Sequence, residues 1–202
     1  MMIRVAVVTA DAGTSRSVLN ELAARPNVFE PFPVTPPDAP AAVHAGACDV
    51  LLLDIQAVSQ LDAHALTDAI CHTHPKGGFI CCCSGCAIDR ARISMIEKAG
   101  APWCPLPSSE DALVRFVQQV RKRGYEDELA HVSFLAALWE LALENETELS
   151  LAPADESCFT AETQENAGGR LHTIIKRVAR AFSRRRHVHR SSTSGSATRA
   201  YL

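Results

Sequence analysis

Residues 49–55 read Asp-Val-Leu-Leu-Leu-Asp-Ile, and no other stretch constrains the fold of this chain as tightly. An apolar run of this length is too short for a buried helix and lacks the polar alternation of a half-exposed strand. It fits a central strand of a parallel sheet covered on both faces. Parallel neighbours must be joined by long crossovers, usually helical, so the flanking sequence is expected to alternate strand and helix. The 202 residues leave room for one such domain and an extension, and 47% hydrophobic content with a net charge of −3 belongs to a soluble globular chain.

The alternation is present on both sides of the run. Ile3–Val8 is a β-branched strand, and Ser15–Ala24 follows with Val18, Leu19, Leu22 and Ala23 at helical spacing. Val28–Val34 carries Pro31 and Pro33 and is expected at a sheet edge. A short helix should begin at Thr35-Pro36-Pro37-Asp38 and run through Ala47. After the central run come a helical pattern over Leu61–Cys71, a buried strand over Gly77–Cys83, and a second helical pattern over Arg90–Ala99. Trp103–Leu106 is a short fifth strand, and Ser108-Ser109-Glu110-Asp111 is a capping signal for a helix carrying Leu113, Phe116, Val117 and Val120. Five strands alternating with five helices close as an open, doubly wound parallel α/β sheet, in which ligands gather at the carboxyl ends of the strands.

Over residues 3–122 this pattern resembles the receiver domain of bacterial response regulators, the CheY-like family. Cys48-Asp49-Val50-Leu51-Leu52-Leu53-Asp54-Ile55 looks like the family's phosphoacceptor strand, with Asp54 at the phosphorylated position. Ser84 stands where receivers carry the switch Thr or Ser, Trp103 where they place the coupled aromatic, and Gly100-Ala101 where they have Gly-Ala. The resemblance implies a flavodoxin-like sheet of order 2-1-3-4-5. It also implies partners in two-component (phosphorelay) signalling, either a kinase or an output protein.

The departures from the family pattern fall on its chemistry. Thr9 and Ala10 occupy the places of the acidic pair that holds the divalent metal, and only Asp11, one residue later, is acidic. Leu106 replaces the lysine of the family's Lys-Pro, so no cation is available to neutralise an acyl phosphate. Phosphoryl transfer depends on positioning and charge neutralisation, and this site lacks the groups for both. Asp54 is therefore expected to be inactive as a phosphoacceptor and to serve as a capping or strand-terminating carboxylate. Asp11, Asp54 and the carbonyl of Gln56 form a weak magnesium candidate set; otherwise no cofactor is expected.

Four of the eight cysteines lie within residues 81–86. Cys83 and Cys86 form a Cys-x-x-Cys, and Cys104 on the neighbouring strand could join them in a soft-metal or redox site. The competing expectation is buried thiols acting as small hydrophobes, because a second Cys-x-x-Cys pair is absent. His72 and His74 fall at the amino end of the fourth strand, the wrong edge for a strand-end site.

The receiver-like part is expected to end near residue 123, followed by a helical extension over 124–190 and a disordered tail over 191–202. Residues 125–165 hold eleven acidic residues and no Lys or Arg, whereas 170–190 hold eight basic residues and no acid. A helix over 126–148 offers Leu129, Val132, Leu135, Ala136, Trp139, Ala142 and Leu143 as a heptad-like seam, intramolecular or homodimeric. A basic helix over roughly 170–187, with Leu171, Ile174, Ile175, Val178 and Phe182, is expected to pack on its acidic neighbour; a membrane surface and nucleic acid are the competing partners. With no spanning apolar stretch and no signal-peptide pattern, a cytoplasmic location is expected. The leading expectation is thus a non-enzymatic signalling module acting through protein contacts. A phosphorylatable DNA-binding regulator and a thiol-based metal or redox sensor are the alternatives.

Overall fold

The computed structural model describes residues 2–73, 77–84, 90–106, 110–126 and 128–150. The expected basic helix and C-terminal tail lie outside them. Five strands, β1 (Ile3–Val8), β2 (Phe29–Val34), β3 (Val50–Asp54), β4 (Gly78–Ser84) and β5 (Trp103–Leu106), pair entirely in parallel in the order β2-β1-β3-β4-β5. The helices between them are α1 (Ala12–Ala23), α2 (Ala39–His44), α3 (Ala63–Thr73) and α4 (Arg90–Ala99), followed by α5 (Glu110–Glu126) and α6 (Glu128–Ser150). This is the doubly wound, flavodoxin-like arrangement expected of the sequence, with the apolar run of β3 at its centre and every residue of that strand buried.

Strand alternation divides the core into two layers. Ile3, Val5, Val7, Val50, Leu52, Ile80, Cys82, Cys104 and Leu106 face α1 and α5, meeting Val18 and Leu22 from the first and Leu113, Val114, Val117 and Val120 from the second. Gly78 permits this packing, since a Cβ there would lie 2.4 Å from Val120 Cγ1. The intervening residues of the strands face the opposite layer.

Both outer edges of the sheet carry proline. Ile3 N–H donates to the Val28 carbonyl, so by the parallel pattern residues 29, 31 and 33 direct their backbone nitrogens away from β1. Phe29 N–H is taken by the Arg25 carbonyl, and Pro31 and Pro33 have no N–H to offer. The β2 edge therefore presents no backbone donor to an added strand, and Pro105 occupies the equivalent outward position on β5.

The largest difference from expectation is α6. The sequence placed it in an extension beyond residue 123 with its seam along Leu129, Val132, Leu135, Ala136, Trp139, Ala142 and Leu143. In the structure it belongs to the compact unit Met1–Ala161 that contains the sheet. The face it buries is His131, Phe134, Leu135, Ala137, Leu138 and Leu141, displaced by about one residue around the helix from the expected stripe; of that stripe Leu135 is buried, and Val132, Ala136, Trp139, Ala142 and Leu143 are half-buried. The displacement has a physical cause. Residues 129–143 are apolar almost all round, so periodicity alone does not select a face, and the shape of the seat on the sheet does.

Three polar contacts fix α6 in register. His131 Nε2 lies 2.7 Å from the Gly77 carbonyl and must carry the proton to donate there, at the amino end of β4. Trp139 Nε1–H donates to Thr67 Oγ1 at 2.9 Å on α3. Arg92, in the first turn of α4, donates to Glu144 at 3.3 Å and to Asn145 at 2.8 Å. The helix therefore runs along β4 from its amino towards its carboxyl end. Phe79 of β4 packs on Phe134 with ring centroids 5.0 Å apart and meets the His131 ring edge-on at 5.1 Å. The principal packing neighbour of α4 is α6, and Ile96 is the one α4 side chain that is fully buried.

Candidate functional site

The residues that the sequence marks as chemically suggestive gather at the carboxyl ends of β1, β3, β4 and β5. Asp54 ends β3 and is 0% exposed. Its backbone is extended, and its side chain caps the 3-10 helix Ile55–Gln60 by accepting the Gln56 N–H at 3.2 Å. An Asp at an N-cap satisfies an amide that would otherwise be orphaned at the start of the helix. The sequence reading did not anticipate the 3-10 helix itself, because its buried residues Ile55, Ala57 and Val58 have no helical period long enough to recognise.

Asp11 is an N-cap as well, for α1. It accepts the Thr14 N–H at 2.6 Å, while its own carbonyl accepts from Thr9 Oγ1 at 3.1 Å and from Ser15 N–H at 3.0 Å. The Thr14 amide first, then its hydroxyl and the Gly13 amide, hold the Asp11 carboxyl below the ordinary carboxylate range. Ala10 is exposed and contributes no ligand.

The magnesium set expected from the sequence is thus engaged in capping. Asp11 closes α1, Asp54 closes the 3-10 helix, and the Gln56 carbonyl accepts from Ser59 Oγ at 3.3 Å. Among the described residues no group of three or more His, Cys, Asp or Glu side chains converges on a common point. A hard divalent cation needs several oxygens aimed at one position, and here Asp11, Asp54 and the Gln56 carbonyl would each have to take it on beside the capping or turn hydrogen bond already made.

Leu106 is buried in the α1/α5 core together with Cys104 and Leu113. It pairs in register with Ser84, whose side chain lies outside the described part of the structure. Trp103 is half-buried on the opposite face of β5 from Leu106 and pairs with Cys81.

The expected thiol site is taken apart by the sheet. Cys104 is the register partner of Cys82, and both belong to the α1/α5 layer. Cys83, one residue on, faces the other layer, so Cys83 and Cys104 are on opposite sides of a hydrogen-bonded sheet. Cys86 lies outside the described residues. Burial pushes the Cys81 and Cys104 thiols up to about 12, and pushes Cys82 well above its usual value. Thiols held so far from thiolate are poor nucleophiles and poor metal ligands. His72 lies in the last turn of α3, not on a turn after it, with Nδ1 2.7 Å from the Asp68 carbonyl; His74 lies outside the described residues.

The groups that sequence reasoning missed are those seating α6: His131, Thr67, Arg92 and the indole nitrogen of Trp139. Only His131 carried a signal, as a polar side chain inside an otherwise apolar segment.

No protein-family model matches the chain, and no curated protein does. Solved structures do. The signal receiver domain of a putative LuxO repressor protein from Vibrio parahaemolyticus is 18% identical, with 64% of this chain and 97% of that one covered at a TM-score of 0.48. A CheY-like receiver domain protein from Methanospirillum hungatei is 15% identical over 63% of this chain and 99% of its own, at a TM-score of 0.46. The receiver domain of AraT from Geobacillus stearothermophilus is 14% identical over 63% and 99%, at a TM-score of 0.49. The all-parallel sheet of order 2-1-3-4-5 with flanking helices is itself the flavodoxin-like fold of response-regulator receiver domains.

Proposed function

We propose that this chain is a degenerate receiver that acts in two-component-like signal transduction by binding other proteins, a kinase or an output protein, without conventional phosphorylation of Asp54. The observation that carries the reading is the state of Asp54. Its carboxylate is wholly buried and caps a 3-10 helix, so an incoming phosphodonor would need that turn to open before an oxygen could attack. Leu106 in the core supports the same reading, because a buried leucine offers nothing to neutralise a developing charge. The capping role of Asp11 and the turn hydrogen bond accepted by the Gln56 carbonyl support it too, since charge neutralisation by metal is the other half of that chemistry. The molecule retains the strand-and-helix scaffold of a receiver, with helical faces available for contact and sheet edges blocked by proline.

Incubating the full chain with Mg²⁺ and a small acyl phosphate, then measuring intact mass and mapping peptides, tests the proposal. The expected result is no phosphoryl mass on the peptide containing Asp54. Stoichiometric labelling that disappears in Asp54→Asn would overturn it.

A further inference from the structure

α4 connects β4 to β5, and a crossover helix in a doubly wound sheet packs back onto the strands it joins. This one does not. α6 lies along β4 and is tied to α3 through Trp139, and α4 rests on α6. Among the described residues the contact of α4 with β4 and β5 is at most marginal.

The two helices are unequal partners. α6 runs for 23 residues and buries His131, Phe134, Leu135, Ala137, Leu138 and Leu141. The Phe79–Phe134 stack and the bond from His131 to the Gly77 carbonyl hold it to the sheet. α4 has only 10 residues, and Ile96 is the one it buries fully. Helices shorter than about 12–15 residues are marginal in water by themselves, because the nucleating turn costs more than a few backbone bonds return. Gly100, at φ +74°, stops α4 from growing longer. Its polar anchor is on α6 as well, since Arg92 donates to Glu144 at 3.3 Å and to Asn145 at 2.8 Å. The free energy that keeps α4 folded therefore comes from α6 and not from the sheet.

We infer that α4 is a conditional helix, folded only while α6 is seated, so that the two form one cooperative unit separate from the sheet and the α1/α5 layer. Lifting α6 releases α4 with it. α6 thereby controls the charged surface that α4 presents through Arg90, Glu97 and Lys98. The inference is independent of the chemistry at Asp54, since none of the contacts it uses involves that residue.

The test is native-state hydrogen exchange of the full chain, read by mass spectrometry on peptides from wild type and three variants. Trp139→Phe removes the hydrogen bond from α6 to Thr67 of α3, and Phe134→Leu weakens the anchor on Phe79; neither contact involves α4. Leu113→Ala weakens the opposite layer. The expected result is that each α6 substitution speeds exchange of α4 and α6 by the same factor, several-fold for the single hydrogen bond lost in Trp139→Phe. Leu113→Ala should speed exchange of β1 and β3 and leave α4 and α6 unchanged, because the α4/α6 unit opens with Leu113 still packed. Exchange of α4 that is indifferent to both α6 substitutions, or that Leu113→Ala accelerates as much as that of the sheet, overturns the inference.

Discussion

Replacing Phe134 by alanine asks whether α6 belongs to the core of the receiver-like domain or merely decorates it. Phe134 is 0% exposed and stacks on Phe79 with ring centroids 5.0 Å apart and planes tilted by 30°. Truncating a buried phenylalanine costs about 3–5 kcal/mol, of which the aromatic pair supplies roughly 0.5–1.5. A loss of about 4 kcal/mol would remove a large share of a total stability of roughly 5–15 kcal/mol. For a chain of this size it would lower Tm by on the order of 8–16 °C. Urea denaturation followed by far-UV circular dichroism gives the free energy, with Leu143→Ala as the comparison. Leu143 is half-buried on the stripe that the heptad reading would have placed in the seam; its truncation should cost about 1–2 kcal/mol. A Phe134→Ala protein within about 1 kcal/mol of wild type would refute the assignment. So would a Leu143→Ala protein destabilised as much as Phe134→Ala, because α6 would then be buried by its other face.

The buried thiols give a second prediction: brief alkylation of the native protein near pH 8 should leave Cys81, Cys82 and Cys104 unmodified, since their thiols remain protonated there, and peptide mapping should find them labelled only after denaturation. Native labelling of Cys104 would contradict the packing of β5. Asp49 gives a third. Burial raises its carboxyl, but the Arg4 amide at 2.9 Å, the Arg4 guanidinium at 3.3 Å and their charge outweigh burial and lower it overall. A carboxyl with a depressed folded pKa contributes stability that is present above its unfolded value, near 3.8, and is lost as pH falls through the folded value. Urea midpoints should therefore fall below about pH 4, and less steeply in Asp49→Asn than in wild type. Equal slopes would contradict it.

Much of the fold was legible because the sequence obeys local rules consistently. Ile3–Val8 and Trp103–Leu106 are strands with the bounds that their apolar runs imply, and Pro31 and Pro33 place β2 at an edge because only an outward nitrogen can be dispensed with. The candidate site was legible only at the level of identity: Thr9, Ala10 and Leu106 carry no charge. Its geometry was less so. That Asp11 and Asp54 are both caps depends on backbone conformation just after each strand, which a few residues do not encode alone. The pairing of Cys104 with Cys82 instead of Cys83 depends on strand register, where a shift of one residue exchanges the faces. The seat of α6 was hidden for a different reason. Its segment is apolar on all sides, so the burying face is chosen by tertiary contacts with Phe79, Thr67 and Arg92, far away in sequence.

The proposed loss of metal and phosphoryl chemistry at the strand ends is tested most directly by titrating isotopically labelled protein with Mg²⁺, then with Mg²⁺ and fluoroberyllate as a phosphoryl mimic. Backbone amide resonances of Asp11, Thr14, Asp54 and Gln56 report on the caps that hold the site closed. The account predicts no saturable shift at these positions with either addition. Saturable shifts at Asp54 and Gln56 that vanish in Asp54→Asn would contradict it.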